Sequence, residues 1–159
     1  MTDNATNGNA TSATPAEREL RDLVAERVAA VHARDAATLA ARPADDVITF
    51  DVLPPLNTHG SATVAEHMRE WFDGYDGDIG YDVHQLHVSA ENDLGFCSFL
   101  YNVSGTLKTG DVIDMWVRAT SCCRRVDGTW PIVHDHESVP FDPATGRAEI
   151  SLRPQRGHN

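Results

Sequence analysis

Residues 130–140, WPIVHDHESVP, alternate two imidazoles with two carboxylates beside a tryptophan. On a strand, successive side chains take opposite faces, so Trp130, Ile132, His134 and His136 form one row and Val133, Asp135 and Glu137 the other. A neutral imidazole both donates and accepts, and it titrates near neutral pH, so the histidine row suits acid or base work. His134 and His136 can also offer two imidazoles to a transition metal, with Asp51 or another acid completing the set. The bland reading is that each imidazole satisfies a buried backbone group or braces a neighbouring strand.

The preceding run, DVIDMWVRATSCC, carries Trp116, Arg118, Thr120 and Cys122 on one row. Asp127-Gly128 is a tight-hairpin signal, and hairpin pairing brings this row beside the histidines. Arg118 is either an anchor for a ligand anion or the partner of a buried carboxylate, with Asp51 among the candidates. Asp51 itself follows VITF and precedes VLPPL, an apolar setting that suits a general base; the alternative is an aspartate that ends its strand by bonding its own backbone. A pair with Arg118 would make it a poorer base. Tyr101, Trp116 and Trp71 supply either an aromatic wall for a flat ligand or ordinary core. His32, in helical register with Val24 and Val28, reaches a pocket or caps its rim.

These residues need elements to position them. The segment TPAE reads as an N-cap, a helix-starting proline and a capping-box glutamate, launching a helix to about Arg34. Asp35 caps a short second helix stopped by Pro43, and DVITFDV is a β-branched strand ended by Pro54-Pro55. A third helix near residues 61–75 carries Val64, Met68, Trp71, Phe72 and Tyr75 on one face, with Thr63 and Glu66 as a second capping box. Strand-like runs follow at about 79–89, 94–105, 112–125 and 129–139. Helices first and an antiparallel meander afterwards imply an α+β fold with helices packed on one face of a sheet. The run LGFCSFLYNVSG is apolar on both alternations, so the second face also needs cover, and a homodimer partner is the expected one.

The chain has 159 residues and a net charge of −11, from 24 acids against 13 Lys and Arg. That is one domain, and it lacks the basic surface that nucleic acid or an anionic membrane demands. We divide it into a disordered N-terminal arm at 1–13, rich in Asn, Thr and Ala, a domain at 14–145 and a C-terminal extension at 146–159. No signal peptide or membrane-spanning run is evident, so the expected location is the cytoplasm. The three cysteines, Cys97, Cys122 and Cys123, have neither disulfide nor metal-ligand spacing and read as small hydrophobes.

The order of elements, and above all RVAAVHARDAATLAARPADDVITFD from Arg27 to Asp51, resembles the ketosteroid isomerase and SnoaL-type cyclase members of the nuclear transport factor superfamily. The ending DGTWPIVHDHESVPFD is similar to the terminal strand of many SnoaL-like proteins and of the calcium/calmodulin kinase association domain. The resemblance implies a cone of curved antiparallel sheet closed by three helices around a pocket. It puts Asp51 in the place of the isomerase's general base, turns Trp130, His134 and His136 toward the cone interior, and puts Arg27 where the isomerase has a tyrosine.

Three functions follow as expectations. The first is a cofactor-free isomerase, cyclase or lyase acting on a hydrophobic carbonyl compound, such as a polyketide or other secondary-metabolite intermediate. Asp51 would be its base, His136 or Trp116 the donor to the enolate, with His134 beside them and Trp116, Arg118, Tyr101, Trp71, Arg27 and His32 around the substrate. An epoxide hydrolase, with Arg118 and two acids activating water, is a variant of it. The second is a non-catalytic binding or association module, and the third a metal enzyme built on His134 and His136.

Overall fold

The computed structural model describes residues 12–155; all but the last two residues of the arm expected at 1–13 lie outside them. Helix α1 spans Pro15–His32 and opens on the expected capping box: Thr14 Oγ1 accepts from the Glu17 amide at 3.2 Å, and the Thr14 amide donates to Glu17 Oε2 at 2.8 Å. Its core face is Leu20, Leu23, Val24 and Val31. Asp35 caps α2, Ala36–Ala40, by accepting from the Thr38 amide at 3.0 Å. Helix α3, Ser61–Asp73, starts two residues before the expected box, with Gly60 at φ 86° as its N-cap, so Thr63 and Glu66 do not cap it.

The strands are β1, Pro43–Phe50; β2, Thr58–His59; β3, Tyr75–Glu91; β4, Leu94–Leu107; β5, Val112–Arg124; and β6, Ile132–Ser138. They form one sheet in the order β2-β1-β6-β5-β4-β3. Four of its pairings are antiparallel, as expected of the meander, and β1 adds one parallel pairing with β6. This pairing carries the first strand back beside the last and curves the α+β sheet into an unclosed cone against the helices. Gly95 admits α1 to β4: a Cβ there would stand 2.5 Å from the fully buried Leu20.

The sheet's inner row runs through Cys97, Phe99, Tyr101 and Val103 of β4 and Val117, Ala119, Ser121 and Cys123 of β5. Which row of β6 joins it depends on one residue. Past the Asp127-Gly128 turn, Cys123 pairs with Ile132, but Cys122 pairs with His134, leaving Val133 unopposed. This β-bulge reverses the alternation between Ile132 and His134. Trp130 and Ile132 stay buried, whereas Ser121 then faces Asp135 and Ala119 faces Glu137.

Candidate active site

The bulge sets a charged network at the centre of the inner face. Arg27, one and a half turns from the end of α1, reaches between two carboxylates of β6: Nη1 lies 3.1 Å from Asp135 Oδ2 and Nη2 lies 2.5 Å from Glu137 Oε1. These side chains are 13%, 15% and 10% exposed, respectively. Ser121 Oγ donates to the other Asp135 oxygen at 2.8 Å, and Tyr101 Oη donates to the other Glu137 oxygen at 2.8 Å. Each carboxylate is thus bonded at both oxygens, as burial of charge requires. Phe99 lies under the guanidinium, its ring centroid 5.9 Å from Cζ.

A cavity of about 330 Å³ opens against this network. Tyr81, Tyr101, Val103, Met115 and Trp71 make its apolar wall, Arg27 and Glu137 its polar end, and Asp51 through Pro54 its mouth. An annex of about 60 Å³ shares Arg27, Asp51, His67, Met68 and Glu137 with it. Burial pushes the Glu137 carboxyl up to about 7; Arg27 and the Tyr101 hydrogen bond pull against this, while Asp135 and Asp51 add to it. Burial opposes charge on Arg27 too, but Tyr81, Asp135, Glu137 and Tyr101 around it outweigh that and raise its pKa. The cavity therefore holds a fixed cation beside a carboxyl group whose pKa burial pushes up toward neutrality.

The expected rows of β6 are exchanged. His134 and His136 lie on the outer face, where His134 Nδ1 bonds the Ile48 carbonyl at 2.8 Å and Phe50 meets both rings edge-on at 4.9 and 5.7 Å. The pairing of strand rows holds, with Thr120 opposite His136 and Cys122 opposite His134, so Trp116 and the exposed Arg118 lie outside with them. Arg118 does not pair with Asp51; the buried guanidinium expected of it is Arg27. Among the described residues no third ligand joins the two histidines into a metal-binding group.

Asp51 reaches the mouth of both cavities but is exposed, and its Oδ1 accepts from the Leu53 amide at 2.9 Å, the strand-ending bond. Tyr101, Trp71 and Arg27 line the larger cavity. His32, expected beside the substrate, is exposed and does not line the cavity; its Nε2 accepts from the Tyr81 amide at 3.3 Å, bracing β3. Sequence reasoning missed Glu137 and Asp135 as inward groups, and Tyr81 and His67 as lining. The small, uncharged row Ala119, Ser121 and Cys123 was the available signal for the inner face of β5, since Arg118 on the other row carries a charge.

The profile of the SnoaL-like domain matches residues 20–142, a span holding every residue of this network. The chain belongs to the SnoaL-like family. A solved NTF2-like protein of unknown function from Pseudomonas putida KT2440 shares 31% identity with this SnoaL-like chain over 89% of it and 99% of the other, at a TM-score of 0.82. A ketosteroid isomerase-like protein from Erwinia carotovora atroseptica is similar in fold at 19% identity, covering 79% of this chain and 97% of its own, with a TM-score of 0.68. An NTF2-like superfamily protein from Salmonella enterica gives 12%, 84%, 96% and 0.71. No curated protein matches. Among the described residues of this SnoaL-like chain no helix is long and apolar enough to cross a membrane.

Proposed function

We propose that this SnoaL-like chain is a cofactor-free proton-transfer enzyme, an isomerase, cyclase or lyase of a hydrophobic carbonyl compound such as a polyketide intermediate. The observation that carries the reading is the Glu137 carboxyl, enclosed between Arg27 and Tyr101 at the polar end of an aromatic-walled cavity, where burial pushes its pKa up to about 7. A base that takes a proton from carbon and returns it needs both protonation states within reach, and a group near pH 7 has them. Arg27 and Tyr101 hold the carboxyl in one orientation, so its position does not have to be found anew in each turnover. Asp51 keeps Oδ2 free at the mouth and serves as the second acid or base, receiving or returning the proton at the other end of the substrate. His136 and His134, the donors expected at first, have no part in this mechanism.

The test needs no knowledge of the natural substrate. In heavy water, the protein should catalyse exchange of the α protons of a cyclic ketone from a panel of flat, neutral ketones, read by mass spectrometry. Glu137→Gln should slow exchange by about 10²–10⁴-fold, and unchanged exchange would remove Glu137 from the mechanism.

We also infer that two copies meet through the outer sheet face. Ile48, Phe50 and Phe96 are 37%, 41% and 44% exposed there, beside His134, Leu100 and Trp116. A sheet face of large apolar side chains is the natural cover for its own copy. Sedimentation equilibrium should give a dimer that Phe50→Asp dissociates; a monomeric wild type would contradict this.

A further inference from the structure

The larger cavity suits a flat ring system, and the proposed reaction makes no use of the annex of about 60 Å³ beside it. The two spaces share Arg27, Leu39, Asp51, His67, Met68 and Glu137, so they meet at the carboxyl that would take the proton. The annex also has walls that the larger cavity does not share. They include Leu23 of α1, Val47 of β1, Val64 of α3 and Ile132 of β6, all of them buried.

Most polar groups around the annex are committed to one another or to their own neighbours. Arg27 bonds Asp135 and Glu137, Thr38 Oγ1 donates to Asp35 Oδ2 at 2.6 Å, and Glu26 pairs with Arg42. A buried water needs about two to four polar partners, and its share of liquid volume is about 30 Å³. The annex therefore has the volume of about two waters and few groups to hold them. An alkyl group needs no partners and gains dispersion contact with every apolar wall it meets.

The far end of the annex limits what can enter. Glu26 and Arg42 line it and also line a groove on the outside, with Glu19, Asp22 and Trp130, so their ion pair stands between the annex and solvent. A chain long enough to press on that pair would take two charges out of water.

We propose that the annex receives a short, unbranched alkyl arm of about two carbons, carried on the ligand beside its reacting carbon, with Val64 setting the width allowed and the Glu26–Arg42 pair the length. The placement of the arm rests on the proton-transfer reading, because Glu137 fixes where the reacting carbon lies; the affinity of the annex for the arm does not.

The probes are β-tetralone and its 1-methyl, 1-ethyl and 1-butyl homologues, with the matching alkyl tetralins, which lack the oxygen. Affinities are measured by calorimetry. In wild type each of the first two carbons should tighten binding about fourfold, equally in ketones and hydrocarbons, and the butyl group should lose that gain. Val64→Phe should remove the ethyl advantage while the unsubstituted parent binds as before. Arg42→Ala, which alters a half-exposed ion pair and no core residue, should move the preference from ethyl to butyl, and it decides the matter if the phenylalanine variant does not fold. Glu137→Gln should slow proton exchange and leave the ethyl preference in place, so a failure of the proton-transfer reading appears in exchange and a failure of this one in the affinities. Affinities that are flat across both series or still rising at butyl in wild type, or an ethyl preference that folded Val64→Phe or Arg42→Ala leaves unchanged, would overturn the proposal.

Discussion

The two faces of the β5–β6 hairpin are built from one continuous stretch of chain and treat their polar residues in opposite ways. Inside, Asp135 and Glu137 are enclosed, each oxygen bonded to Arg27, Ser121 or Tyr101. Outside, His134 and His136 lie against Phe50, and Arg118 is exposed to solvent. Residue type alone favours the histidines for chemistry near pH 7. Environment reverses that, because burial moves a carboxyl into the neutral range while the imidazoles stay at a surface where nothing encloses a substrate.

The strongest way to break the comparison is to remove the inner cation. Arg27→Ala leaves two buried carboxylates facing each other, and the expected loss is about 3–5 kcal/mol by denaturant unfolding. The loss should be smaller in acid, where protonation relieves the stranded charge. Arg118→Ala, on the outer face, should cost less than about 0.5 kcal/mol. Equal losses would erase the distinction between the faces.

The pH dependence of stability sharpens it. Glu137 is raised from an ordinary 4.5 to about 7, so between these values the native protein binds a proton that the unfolded chain has released. Stability contributed by this group is therefore full below about 4.5 and falls as pH climbs to about 7, by about 3 kcal/mol. Comparing urea midpoints of wild type and Glu137→Gln across that interval isolates the slope, which should be absent in the variant.

Tyr101→Phe is the next smaller change. It removes the donor to Glu137 Oε2, a bond to a charged group worth about 1.5–3 kcal/mol above neutrality. Because that bond favours the carboxylate, the pH midpoint of exchange should move upward in the variant. Least of all should happen on the outside: His136→Ala should leave ketone exchange within about twofold and monomer stability within about 0.5 kcal/mol.

Much of the fold was legible because local signals agreed with it. Thr14 and Glu17 announced α1, Asp35 capped α2, and Asp127-Gly128 turned the last hairpin. The parallel β1–β6 pairing was not, since it joins residues nearly ninety positions apart and has no local signature. The site was half legible: Arg27, Tyr101, Trp71 and Asp51 do surround the cavity. What failed was the face of β6. A strict alternation from the buried Trp130 turns His134 inward, and one unopposed residue, Val133, undoes it. A bulge is fixed by what both strands must bury, which no pattern within β6 alone reveals.

The account depends most on where Glu137 titrates. The carboxyl carbons of selectively labelled glutamates can be followed by NMR across pH 4–9, with Glu137→Gln identifying the signal. A single resonance with its midpoint near 7, absent from the variant, is the predicted result. A Glu137 signal that titrates at or below the ordinary glutamate value would mean that Arg27 holds the group permanently ionised, and the inner row would then be a structural ion pair with no proton to transfer.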